Sequence, residues 1–98
     1  MSSRTITTGA EEVFPRSRLR KSFVVQNEDS TDTVFIKRER NDALTVSSTD
    51  HDHRLAGGSS ISVNDLTDGK EAIQDRWTVI ASANTPRISF FETEDVER

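Results

Sequence analysis

The sequence has no cysteine and no tyrosine, a single tryptophan, two prolines and four glycines. Without cysteine there is no disulfide staple, no thiolate metal site and no cysteine nucleophile, so stability must come from packing or assembly. No apolar run approaches the roughly 18 to 20 residues that span a bilayer, and residues 1 to 13 lack the apolar stretch of a signal peptide. The chain therefore reads as a soluble protein with no membrane partner. Six aromatic side chains, five of them Phe, are too few for the exposed ring platforms of a lectin or a single-strand nucleic-acid binder.

What is present is charge. Lys and Arg number 13 against 17 Asp and Glu, a net −4, in a chain of 98 residues that is 32% hydrophobic and 31% charged. Net acidity, with a sequence pI of about 5.1, argues against coating nucleic acid by counterion release, and no nucleic-acid partner is expected. Ninety-eight residues make one domain, able to bury roughly 65% of its unfolded surface. The modest apolar share leaves a small margin over chain entropy, and support from neighbouring copies is the natural complement.

Periodicity is two almost throughout, the pattern of half-buried strands. Residues 19 to 27 read as a strand, NEDSTD from Asn27 to Asp32 as a turn, and TVFIKRE as a second strand, the two forming a hairpin. Leu44 and Val46 suggest a short strand, and the polar run from Ser47 to His53 an exposed loop. Ala56-Gly57-Gly58 marks a turn requiring positive φ, followed by a strand carrying Ile61 and Val63. Asn64 to Asp75 reads as a connection with at most one helical turn. RWTVIASA from Arg76 is the strongest strand signal, and beyond Pro86 the segment RISFFETE makes a second hairpin with it.

Short strands at regular spacing predict an all-β fold, a small antiparallel sandwich or barrel of about six to eight strands. Its expected core is Phe23, Val25, Val34, Ile36, Leu55, Ile61, Trp77, Val79, Ile88 and Phe90. By composition, residues 1–16 are an extended amino-terminal arm, 17–92 the β-sandwich domain and 93–98 an acidic tail.

No constellation for catalysis emerges, and the chain reads as a non-enzyme. His51 and His53 form an H-x-H pair flanked by aspartates, but no third ligand follows. They read as a polar loop, with a metal shared between subunits as the surviving alternative, and no cofactor or metal is expected. Serines lack a nucleophile elbow, and Gly57-Gly58-Ser59-Ser60 lacks the lysine and helix of a phosphate loop. Arg16, Arg18, Arg20 and Lys21 form one dense basic segment, with the three arginines on one side of an extended chain. Glu92, Glu94, Asp95 and Glu97 supply a complementary acidic row. The two rows are expected to join neighbouring copies in a homo-oligomer.

A strand ending in VVQN, an Asp/Ser turn, TVFIKRE, then RLAGGSSISV and RWTVIASANTPRISFFETE resemble small β-sandwich structural proteins encoded by tailed bacteriophages. The likeness spans about residues 18 to 92, and departs from the pattern where Lys37-Arg38-Glu39 replaces the glycine usual after the second strand. The resemblance implies a virion accessory protein that decorates the capsid, forms a fibre base or completes a head-tail junction. Its partners would be other virion proteins, above all a major capsid protein. The alternative is a small receptor- or glycan-binding module that uses the His51 loop, with Trp77 or a Phe exposed beside it.

Overall fold

The computed structural model describes residues 2–18, 20–39, 44–64 and 69–94. Among these residues there are eight strands: β1 (Ser2–Thr5), β2 (Glu11–Phe14), β3 (Arg20–Asn27), β4 (Val34–Glu39), β5 (His53–Leu55), β6 (Ser60–Asn64), β7 (Arg76–Ala81) and β8 (Arg87–Glu94). Among the described residues one short helix, α1 (Lys70–Gln74), precedes β7. The strands form two antiparallel sheets, ordered β1-β8-β3-β6 and β2-β7-β4-β5. The protein is a small all-β sandwich, as the alternation predicts.

The pairing has a simple rule. The first strand pairs with the last, the second with the second-last, and so on inward to β4 with β5. A single long antiparallel ribbon is thus wound around the core and closed by β3 against β8 and β4 against β7. This is the jelly-roll order. Both expected hairpins are corrected by it, since β3 and β4 lie in different sheets, as do β7 and β8. The Asp/Ser turn and the Asn-Thr-Pro turn are corners between layers, and local spacing cannot distinguish a corner from a hairpin.

The expected core is present. Phe23, Val25, Val34, Ile36, Leu55, Trp77, Val79 and Ile88 are buried, and Ile61 and Phe90 pack against them half-covered. Rings from both sheets interlock: Phe14 lies 4.5 Å from Phe23 and 5.6 Å from Phe90, and Phe23 lies 5.0 Å from Trp77. Such tilted and edge contacts add roughly 0.5–1.5 kcal/mol per pair beyond burial.

The amino-terminal arm is a second correction. Residues 2–14 supply an edge strand to each sheet, and Ile6, Val13 and Phe14 enter the core. Their apolar groups are few, but each is spent inside. The third correction concerns residues 44 to 52. Leu44 and Val46 form no strand, and the polar run is not simply solvated. It folds over the outer face of the second sheet, burying Val46 and Phe35. Glu39 anchors it, accepting hydrogen bonds from the backbone N–H and the hydroxyl of Thr45.

Candidate functional site: the charged end and the loop end

Strand starts and ends divide the sandwich into two ends. At one lie residues 15–18, 44–52 and 69–75, and at the other the turns 6–10, 28–33, 56–59 and 82–86.

The basic segment falls at the first end, and Arg20 is its centre. A register irregularity between Arg20 and Ser22 turns the first residue of β3 inward, where uninterrupted alternation would have sent it out with Ser22. Its side chain is fully covered, with the guanidinium carbon 5.2 Å from the centre of the Phe14 ring. Nε donates to Glu92 Oε2 at 2.7 Å, and Nη1 donates to the carbonyls of Ile73 at 2.9 Å and Asp75 at 3.0 Å. Nη2 donates to the Pro15 carbonyl. One side chain therefore ties together Pro15 after β2, the end of α1 and strand β8. The planar five-donor fork of arginine suits this work.

Arg16, Arg18 and Arg20 do not share a side. Arg16 is exposed, its Nε 3.8 Å from Asp75 Oδ1, and Arg18 is exposed in a turn. The Arg18 carbonyl accepts from Gln74 Nε2 at 2.8 Å. Lys21 is exposed at the start of β3. Asp75 also accepts from Arg38 Nε at 2.5 Å. The basic and acidic rows do meet, but Arg20 and Glu92 meet within one chain rather than across copies. The backbone of Glu94 pairs opposite Arg20, whereas Asp95 and Glu97 lie outside the described residues.

The histidines part company. The His51 ring packs on Phe35 at 4.6 Å, and its Nδ1 lies 3.1 Å from the Ser47 carbonyl oxygen. His53, in β5 opposite Ile36, instead stacks toward Trp77 on the core side, 6.1 Å between rings. The two imidazoles thus serve opposite faces of the sheet. Among the described residues no three His, Asp or Glu groups gather as a metal would need. Trp77 is buried at 3% exposure and donates through Nε1 to the Ala72 carbonyl at 2.9 Å.

On the outside of the second sheet, Lys37 Nζ donates to Asp50 Oδ2 and Thr45 Oγ1, both at 2.7 Å. The Asp50 carboxylate holds the ammonium pKa above its ordinary value.

At the second end Asn27 is fully buried. Its Nδ2 donates to the carbonyls of Asp32 at 2.7 Å and Leu55 at 3.0 Å, and its Oδ1 accepts from the Asp29 N–H at 3.0 Å. Asp29 Oδ1 accepts from the N–H of Thr31 and of Asp32, and from the Thr31 hydroxyl. These bonds, the Thr31 N–H first among them, pull the Asp29 carboxyl below its ordinary pKa. Beside this turn lies an open depression of about 370 Å³ lined by Ser3, Glu28, Asp29, Thr85 and Arg87. Arg87 Nη2 donates to Ser3 Oγ at 2.9 Å there, and Nε stands 3.7 Å from Glu28.

Sequence reasoning missed the roles of Arg20, Asn27 and Glu39. For Asn27 the available signal was its place in the inward phase of Phe23 and Val25, whereas Arg20 lies out of that phase and Glu39 stands among charged neighbours. Comparison finds no family model, no curated protein and no solved structure that matches the chain. No helix among the described residues is long and apolar enough to cross a membrane.

Proposed function

We propose that the protein is a non-enzymatic structural component of a tailed-phage particle, a capsid accessory or fibre-base protein. In this reading it resides in the virion and packs against further copies of itself and against a major capsid protein. The inward-nesting strand order carries the reading, because the jelly-roll wind is one that viral capsid domains use, as do lectins and cupins. It joins the resemblance of residues 18 to 92 to small phage structural proteins.

A fold alone names no activity, so the disposition of polar side chains has to weigh as well. The best-formed polar groups, Arg20, Asn27 and Glu39, are each bonded to backbone or to neighbouring strands. Such groups build a rigid scaffold. Arg16, Arg18 and Lys21, exposed around one end of the sandwich, are the cationic contacts assigned to an acidic neighbour. The glycan-binding alternative required an exposed ring beside His51, but Trp77 and Phe35 are both buried. A head-tail junction role would use the same exposed end.

The test is composition of the particle. Virions from cells expressing the gene, banded by density and digested for mass spectrometry, are expected to contain the chain at a fixed ratio to the capsid protein. A chain confined to the particle-free fraction overturns the reading.

A further inference from the structure

Each sheet has two edges, and the four edge strands are not treated alike. Natural edges are guarded by charge, proline, bulges or extreme shortness, because unpaired backbone groups invite another strand. β1 carries Arg4, whose guanidinium crosses to Glu11 of the facing sheet at 3.0 Å. β2 carries Glu11 and Glu12 and a register break before Phe14. β5 has three residues, with Arg54 exposed in the middle. β6 has none of these devices. It reads Ser-Ile-Ser-Val-Asn and sits in a run from Leu55 to Asn64 without one charged residue, in a chain that is 31% charged.

The phase of its hydrogen bonding is set by β3. The Asn27 N–H donates to the Ser59 carbonyl at 2.9 Å, so residues 59, 61 and 63 turn their backbone groups toward β3. Ser60 and Ser62 consequently aim theirs at the open side.

We propose that β6 is a self-association edge, at which a second copy of this chain adds its own β6 antiparallel across a two-fold axis through Ser62. The register is dictated by side-chain alternation, since a slip of one residue would send Ile61 and Val63 to the wrong face. Centred on Ser62, it sets Ile61 opposite Val63 of the second copy on the core side, Ser62 opposite its mate on the outer side, and Ser60 opposite Asn64. Apolar meets apolar and hydroxyl meets hydroxyl, with no like charges opposed despite the net −4 of each chain. Ile61, half-buried in one copy, gains cover from the other. The two β1-β8-β3-β6 sheets become one continuous eight-stranded sheet. The inference does not depend on the virion reading.

Five residues per copy make a contact well below the roughly 800 Å² per partner of stable complexes, so the dimer is a weak one that forms only at high protein concentration. Sedimentation equilibrium between about 10 µM and 1 mM is expected to show the mass rising from 11.0 kDa toward twice that value. S62K, an outward and exposed position, sets two ammonium groups face to face and should weaken association at least about tenfold, with an unchanged unfolding midpoint. S62E should act likewise, and an equimolar mixture of the two should restore dimers.

A protein that stays at 11.0 kDa throughout, an S62K variant that associates as the parent does, or a mixture that fails to recover overturns the proposal. Residue-resolved amide exchange on the unsubstituted protein decides the matter if a variant does not fold. The Ser60 and Ser62 amides should gain protection with concentration, and equal exchange in dilute and concentrated samples would refute the edge.

Discussion

At the scale of single residues, Arg20 shows how a buried charge acts as an organiser. Its desolvation is offset by Glu92 and three backbone carbonyls, and removing it would leave all four acceptors short of a donor. Breaking such a constellation from one side typically costs about 3–5 kcal/mol. In a domain of this size that lowers the melting temperature by roughly 12 °C or more. Calorimetry of Arg20→Ala should show this, and Arg20→Lys should recover only part of it because an ammonium cannot reach acceptors in three segments. Asp29 and Lys37 set opposite pH limits. The Asp29 carboxyl is lowered in the fold, so its contribution is complete above the ordinary carboxylate pKa of about 4 and fades as pH falls through the folded value. Lys37 is raised, so its contribution is complete below about pH 10.4 and fades as pH rises through the folded value. Urea midpoints for Asp29→Ala should therefore differ from the parent at pH 7 and converge with it in acid. A gap that stays constant down to pH 2 would contradict the assignment.

At the scale of elements, the corner between β5 and β6 holds two glycines for different reasons. Gly58 has φ of 79°, and its N–H donates to the carbonyls of Asn27 and Asp29. Gly57 has no such backbone requirement, but a Cβ there would collide with the Ser30 carbonyl. Expected losses follow from that difference: Gly58→Ala costs about 1–2 kcal/mol of left-handed strain, whereas Gly57→Ala costs more because two backbones must separate. Urea unfolding of the two variants checks the order. The need for positive φ in this turn was legible in the sequence, but the close approach was not. Strand positions were legible for the same local reason, since Phe23-x-Val25 and Ile61-x-Val63 display which face is buried. Their partners were not, because alternation looks the same whether a strand turns back beside its neighbour or crosses to the opposite sheet. The α1 turn was also legible only as a connection; Ile73, fully buried at its end, gives it a place in the core.

On the scale of the whole molecule, β1 against β8 joins the two ends of the described chain. The radius of gyration, 12.8 Å, matches the roughly 12.6 Å expected of a compact 98-residue globule. Residues 2–14 are therefore structural rather than appended. Ile6, Val13 and Phe14 each contribute about 1.5–3 kcal/mol by burial, together comparable with the roughly 5–15 kcal/mol that holds a typical domain folded. Deleting residues 2–14 should abolish cooperative thermal unfolding by circular dichroism. A truncated chain that melted as the parent does would restore the view of this segment as an arm.

The sequence by itself determined that the chain is built of strands, which side of each strand is apolar, and that the wealth of charge would concentrate at a basic stretch and an acidic one. Those properties depend on a residue and its near neighbours. Only the tertiary structure decided that the ribbon winds inward from both ends, that its amino terminus closes both sheets, and that Arg20 turns inside to meet Glu92. Each of these results from pairing between distant segments and one bulge, whose energies depend on contacts that no local window contains.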